Sequence, residues 1–248
     1  MNTLVIVPTY QEAGGVVRVL DAVLAAAPEV DVLVVDDASP DGTGDLVAAH
    51  PAYGDRVRLL RRPGRSGLGS AYRDGFAWAL ARSYEAVVEM DADLSHPPDE
   101  LPRLVAALAD ADLVIGSRYV PGGRTEGWPW RRAVLSRLGN AYVRGVLGLD
   151  VHDATGGYRA FRATTLRAIR VLSAESDGYA FQVETTWRAD RHDLRIVEVP
   201  ITFTDRTVGR SKMTAGIAAE ALVRVARWRL GELTGRGPRA SARSLVGG

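Results

Sequence analysis

Short apolar runs alternate with stretches of helical periodicity through the first 117 residues. "TLVIV" (Thr3–Val7) predicts a buried strand that stops at Pro8. Val17, Leu20, Val23 and Leu24 then recur at helical spacing within residues 14–27. "DVLVVDD" (Asp31–Asp37) predicts a second buried strand, "ASPDGTG" a turn, and Asp45–Ala49 a short helix. "VRLL" (Val57–Leu60) is a third strand, and "PGRSGLGSAYRDGFAWALAR" a glycine-rich loop feeding a helix. Val87–Met90, Leu101–Leu108 and "DLVIGSR" (Asp112–Arg118) continue the alternation as strand, helix and strand. Such a rhythm predicts an α/β fold, a mostly parallel central sheet with helices on both faces.

After Arg118 the rhythm changes. "WPWRRAVLSRLGNAYVRGVLG" (Trp128–Gly148) predicts one amphipathic helix with interspersed arginines, and "DATGGYRAFR" (Asp153–Arg162) a turn-rich segment. Helical patterns follow near Thr165–Leu172 and Phe181–Asp190, then a strand-like "LRIVEVPITF" and a helix over Ile217–Leu230. The last stretch is poor in hydrophobics and predicts a mobile tail over 232–248. Residues 1–231 are expected to form a single domain of two halves, 1–117 and 118–231.

Composition changes this picture little. At 248 residues, 46% hydrophobic and 25% charged, the chain has an ordinary globular balance. No apolar run approaches the roughly 18–20 residues of a membrane span, and the start lacks a signal peptide's basic region. With no cysteine, disulfides and thiolate chemistry are excluded. The expectation is a soluble cytoplasmic protein. Charge adds more. Residues 1–117 carry 18 acidic and 9 basic side chains, net −9, whereas 118–248 carry 12 and 22, net +10. An acidic half suits a divalent cation; a basic half suits phosphates or an anionic membrane, unless scattered surface arginines simply add up. Nothing points to nucleic acid.

In open parallel sheets ligands bind beyond the carboxyl ends of the strands, and three predicted ends carry "PTYQE", "DDAS" and "DADLSH". Asp91 and Asp93 lie two apart on an extended segment and point to one side. Two hard oxygens so placed suit Mg²⁺ or Mn²⁺ that also holds substrate phosphates. Asp36 and Asp37 end strand two, either as ribose ligands or as cap and turn residues beside Ser39 and Gly42. Gly67 and Gly69 open a helix whose N–H groups are candidates for an anion, or whose bare backbone admits a base. Tyr72 stands where a dinucleotide fingerprint requires Gly or Ala, which argues against a nicotinamide enzyme. Lys212 is the chain's one lysine against thirty arginines, a bias that coding preference alone can explain. It lies with Arg206 and Arg210 in "DRTVGRSKM", either a solvated basic loop or a cover for a leaving diphosphate.

These stretches, with "IGSRYVPGG" and "GYAFQVE", occur in an order over Val7–Met213 that resembles family 2 glycosyltransferases, and within them the polyprenol-phosphate mannosyltransferases (dolichol-phosphate mannose synthases). The resemblance implies a GT-A nucleotide-sugar-binding fold, GDP-mannose as donor and a polyprenyl phosphate as acceptor. It implies that Pro8, Tyr10, Glu12 and Asp37 contact the nucleoside, and that Asp91 and Asp93 hold the metal on the diphosphate. Arg118, Arg206 and Lys212 would meet donor phosphates and sugar; Arg132 and Ser136, with Arg131 beside them, would receive the acceptor phosphate. Ser95 is the third metal candidate, at a place where several relatives carry glutamine as a metal contact; serine is shorter, so water is the alternative ligand and the preferred metal stays open. On this resemblance 1–117 is the nucleotide- and metal-binding half and 118–231 the acceptor-binding half. Inversion at the anomeric carbon is likewise implied by the family.

Because a polyprenyl acceptor lives in lipid, the arginine- and tryptophan-bearing helices near Trp128–Leu147 and Ile217–Leu230 either lie on the membrane surface or pack on the sheet. The first alternative predicts peripheral association with the cytoplasmic face, with room for a separate membrane-anchoring protein. Three rival readings stay open: transfer from UDP-glucose, transfer to a hydroxyl acceptor with Asp153 as base, and a non-catalytic nucleotide-sugar-binding module.

Overall fold

The computed structural model describes residues 1–205 and 215–234. In chain order the elements are β1 (Thr3–Thr9), α1 (Val16–Ala26), β2 (Asp31–Asp36), α2 (Thr43–Ala48), β3 (Val57–Arg61), α3 (Leu68–Leu80), β4 (Ala86–Glu89), α4 (Leu101–Ala107) and β5 (Leu113–Ser117). Then come β6 (Arg124–Glu126), α5 (Trp130–Leu147), β7 (Arg159–Arg162), α6 (Ala163–Ala168), α7 (Gly178–Arg191), β8 (Ile196–Pro200), β9 (Thr202–Thr204) and α8 (Ala215–Leu233).

Seven strands form one sheet in the order β3-β2-β1-β4-β7-β5-β8. All neighbouring pairs are parallel except those of β7, which runs antiparallel to both β4 and β5. The α/β architecture is therefore as the periodicity predicts. Continuous apolar runs such as that of β1 follow from burial on both faces. On one face, Leu4, Ile6, Leu33 and Val35 pack with Tyr72 and Phe76 of α3, Phe181 of α7 and Leu147 of α5. On the other, Val5, Val7, Val32 and Val34 meet Val19, Leu20 and Val23 of α1 and Leu104 of α4. Gly75 lets α3 approach β1, since a Cβ there would lie 2.8 Å from Ile6 Cγ2.

Three local expectations need correcting. The end of the turn-rich "DATGGYRAFR" is β7, a central strand, because the apolar Ala160 and Phe161 between two arginines point to opposite buried faces. Four residues are too few for a period to declare itself. The strand-like "LRIVEVPITF" is two strands: β8 extends the main sheet, while β9 pairs with β6 in a separate two-stranded sheet. The polar β6 carried no strand signal. Finally, α8 continues to Leu233, into the stretch expected to be tail.

Candidate active site

The chain emerging from β1, β2 and β4 bends sharply beside the sheet's carboxyl edge. Gln11, Ala38 and Leu94 each adopt left-handed backbone, with φ of 59°, 54° and 60°. Side chains tolerate this poorly, and such strain gathers where geometry serves a site. The strand ends face a cavity of about 410 Å³ closed on its other side by residues from α5, α7, β9 and the loops before β7 and α7.

One end of the cavity is built from Pro8, Thr9, Tyr10, Glu12, Asp37 and Arg65. The Arg65 guanidinium lies 4.5 Å from the Tyr10 ring centroid. Asp37 is 5% exposed. Its carboxylate accepts from Arg62 and from the N–H groups of Ser66 (3.2 Å) and Gly67 (3.3 Å). Arg62 also reaches Asp74 at 2.8 Å and Ser70, so the cleft floor is a charge-assisted network.

Asp36 does not line the cavity. It accepts from Thr9 Oγ1 (2.8 Å), Ser39 N–H (3.0 Å) and Ser39 Oγ (2.6 Å), tying the β1 and β2 ends together. Of the two alternatives for the aspartate pair, Asp36 takes the turn-fixing role and Asp37 the cavity. Gly67 lines the cavity and Gly69 does not. The first turn of α3 meets carboxylates of the chain itself, Asp37 at Gly67 and Asp177 at Ser70 N–H (3.1 Å). A Cβ on Gly69 would lie 2.6 Å from the Ser176 carbonyl oxygen and 2.7 Å from Asp177 Oδ1. These glycines thus admit the Ser176–Asp177 loop against α3, a closer fit to the structure than an open anion site.

Asp91 and Asp93 share the cavity wall with His96, Arg118 and Gly157. Asp91 N–H donates to His96 Nδ1 at 3.0 Å, which puts the imidazole proton on Nε2, 3.8 Å from Asp91 Oδ2. Burial lowers the His96 pKa, opposed by the charges of Asp91 and Asp93. The ring is stacked 5.0 Å from Tyr158 and edges Phe203. Ser95 donates its N–H to Asp93 Oδ1 at 3.0 Å but is 2% exposed and off the cavity wall. Expected as a third metal contact, it instead shapes the Asp93 turn. Two carboxylates facing one space provide hard oxygen donors of the kind that Mg²⁺ and Mn²⁺ take, so the residues fit such an ion. Among the described residues no third His, Asp or Glu completes a metal-holding group, leaving further positions to phosphate oxygens and water.

Arg118 is 6% exposed and forks onto the fully buried Asp153, Nε to Oδ2 at 2.7 Å and Nη2 to Oδ1 at 2.6 Å. Arg118 N–H adds 2.9 Å to the same carboxylate. Burial disfavours both charges, yet each holds the other ionised. Asp153 lies below the usual carboxylate range and Arg118 above its own. Asp153 does not line the cavity. Arg132 does; it pairs with Asp205 at 2.8 Å and lies 4.0 Å from the Trp128 ring centroid. Of the other acceptor candidates, Ser136 accepts from Tyr119 Oη at 2.7 Å and Arg131 lies exposed by Trp130; neither lines the cavity. Arg206 and Lys212 lie outside the described residues.

Several wall residues carried no role in the sequence reading: Arg65, His96, Trp128, Thr155, Asp177 and Gln182. Three of them, His96, Thr155 and Gln182, sit in the stretches "DADLSH", "DATGGYR" and "GYAFQVE". Order along the chain marked the stretches; only folding showed which side chain of each turns inward.

A mostly parallel sheet with a cavity at its β1 and β2 ends and paired aspartates after β4 has the architecture of a GT-A-type fold. The glycosyl transferase family 2 model matches residues 4–170, and the chain belongs to that family of glycosyltransferases. It is 54% identical over 230 residues to the undecaprenyl-phosphate mannosyltransferase of Micrococcus luteus, covering 93% of this chain and 95% of that protein. It is 51% identical over 232 residues to the polyprenol monophosphomannose synthase of Mycolicibacterium smegmatis, covering 92% and 86% respectively. Among solved structures it resembles the Mycobacterium tuberculosis glucosyl-3-phosphoglycerate synthase bound to Mn²⁺, UDP-glucose and phosphoglyceric acid. That match has a TM-score of 0.65 and 24% identity, covering 96% of this chain and 81% of the other, and it supports the fold.

Proposed function

We propose that the protein transfers mannose from GDP-mannose to a polyprenyl monophosphate with inversion, releasing GDP. The carrying observation is that the Asp91–Asp93 pair and the cations Arg118 and Arg132 share one cavity, in a chain 54% identical to an undecaprenyl-phosphate mannosyltransferase. Pro8, Tyr10, Glu12 and Asp37 take the nucleoside. Asp91 and Asp93 hold Mg²⁺ or Mn²⁺, which when bound neutralises the diphosphate. Arg132 draws the acceptor phosphate to the sugar, and Arg118 meets the donor's phosphates and sugar, a task in which Arg206 and Lys212 are expected to join it. An acceptor phosphate oxygen forms a bond to the anomeric carbon as the bond to the diphosphate oxygen breaks.

A phosphate monoester with a second pKa near ~6 is already largely dianionic at neutral pH, so the reaction needs no general base. Asp153, the candidate base of the hydroxyl-acceptor alternative, has its oxygens engaged by Arg118 and its basicity lowered. That favours the phosphate acceptor.

The same reading brings the protein to the cytoplasmic face of a membrane. No helix among the described residues is long and apolar enough to cross one. The C-terminal half of α5 packs inward through Asn140, Val143 and Leu147, while Trp130, Leu135 and Leu138 stand 71%, 60% and 62% exposed. Leu230 and Leu233 of α8 are also exposed. Tyr142 Oη donates to the Leu222 carbonyl at 3.1 Å, so the two helices lie together. Apolar side chains interleaved with arginine suit an interfacial position.

The test is incubation with labelled GDP-mannose or UDP-glucose, a short polyprenyl phosphate and Mg²⁺, followed by organic extraction. Label extracted from GDP-mannose alone is expected. Label from UDP-glucose alone overturns the sugar assignment, and tight donor binding with no extractable label overturns catalysis.

A further inference from the structure

Gln182 of α7 lies in the stretch "GYAFQVE", to which the proposed chemistry assigns no task. Its backbone carbonyl is heavily used, accepting from Arg159 Nη1 at 2.7 Å, Thr186 Oγ1 at 2.9 Å and Thr185 Oγ1 at 3.1 Å. Arg159 is itself fully buried and spends its other donors on the carbonyls of Gly156 (2.6 Å) and Ala154 (2.7 Å) and on Thr185 Oγ1 (2.9 Å). The backbone beneath the Gln182 side chain is therefore locked to the loop before β7.

The side chain is the reverse. Gln182 is 3% exposed and lines the cavity with Asp91, Gly157 and Arg118. Neither Oε1 nor Nε2 has a hydrogen-bond partner in the protein. Glu89 adjoins it, and the nearby amide partly offsets the rise that burial imposes on the Glu89 carboxyl, but the contact lacks the geometry of a full hydrogen bond and leaves both carboxyl oxygens unsatisfied as well. Buried amides left unsatisfied are rare and call for a water or a ligand group. This one sits on the wall near the paired aspartates, on a rigid backbone.

We propose that the Gln182 amide reads hydroxyl groups of the transferred sugar and so helps to set donor specificity. The inference rests on the transferase reading above and assigns one residue within it. A primary amide presents an acceptor and a two-proton donor side by side. Two neighbouring hydroxyls of a hexose offer the complementary pair, each able to donate and accept. The sugar is the part of a nucleotide-sugar donor that must lie between the diphosphate at Asp91–Asp93 and an acceptor at Arg132, within the cavity that Gln182 lines.

The experiment compares wild type, Gln182→Leu and Gln182→Glu on GDP-mannose and its monodeoxy analogues, by kcat/KM, with GDP affinity and thermal melting as controls. If wild type transfers from UDP-glucose and not GDP-mannose, the mannosyl reading fails, and the deoxy series is built on UDP-glucose to test Gln182 all the same. The expected wild-type loss is about 10- to 100-fold for one or two adjacent deoxy positions. Gln182→Leu should lose a similar factor on the parent donor, lose little more on those analogues, and bind GDP as wild type does. An equal loss by Gln182→Leu on every analogue, or no loss on any, overturns the proposal, because the amide then holds only water or the fold. Should the leucine variant melt early, Gln182→Glu carries the same comparison. A wild type indifferent to all deoxy positions overturns it without any variant.

Discussion

Asp153 shows how a carboxylate in a motif can serve structure rather than proton transfer. It is fully buried, and three of its contacts are to Arg118. Removing one partner of a buried pair strands the other charge, which generally costs about 3–5 kcal/mol. Asp153→Asn is therefore expected to lower unfolding stability in urea by roughly that amount. Because the folded pKa is depressed, the pair's contribution is present above the ordinary carboxylate range near 3.8 and is lost as pH falls through the lower folded value. The variant's stability deficit should accordingly hold through neutral pH and shrink only in strong acid. Complete loss of turnover in a fully stable Asp153→Asn protein would instead revive the hydroxyl-acceptor route. Asp91 and Asp93 permit an independent measurement. Isothermal titration of the paired change Asp91→Asn and Asp93→Asn should show donor affinity at least about tenfold weaker in Mg²⁺, with EDTA having no further effect. Donor uptake in wild type that ignores EDTA would remove the metal from the account.

Elements carry the next layer. The α3 helix reaches β1 only because Gly75 has no side chain, and the Ile6 methyl that a Cβ would strike is held inside the core. Gly75→Ala should destabilise by about 1–3 kcal/mol, read from the urea midpoint, through overpacking rather than helix propensity, which favours alanine. The α5 helix divides along its length instead of around its circumference. Its later turns join the core through Val143 and Leu147, and its first turns leave Trp130, Leu135 and Leu138 in solvent. Changing those three to serine should abolish flotation with anionic vesicles while transfer to a short, soluble acceptor survives. Flotation unchanged in that variant would place the lipid contact elsewhere.

At the scale of the molecule, the acidic and basic halves meet across one cavity. Strand ends from residues 1–117 supply Tyr10, Asp37 and Asp91–Asp93, and Arg118, Arg132 and Gln182 approach from the other side. If the basic half also meets an anionic membrane, vesicle recovery should fall between low salt and about 0.5 M NaCl, where screening shortens to a few ångströms. Recovery that is independent of salt would mean that apolar insertion dominates.

Much of this was legible before folding. Unbroken apolar runs and helical spacing determined the α/β class, the positions of β1 to β5 and the polar strand ends, because a doubly covered sheet imposes its burial directly on local composition. The Asp-x-Asp pair was legible as a motif, but the extended segment expected to align it is absent: Ala92 and Asp93 form a turn beyond β4, and that turn brings both carboxylates to the cavity. Tertiary structure alone decided that β7 runs antiparallel in the middle of the sheet, that Asp37 faces the cavity while Asp36 is consumed by Thr9 and Ser39, and that Ser95 and Ser136 stay off its wall. It alone brought Gln182, ninety-one positions from Asp91 in the chain, to the same wall. Periodicity reports which face of an element is buried, whereas the partner across a cavity depends on contacts between segments that no local pattern records.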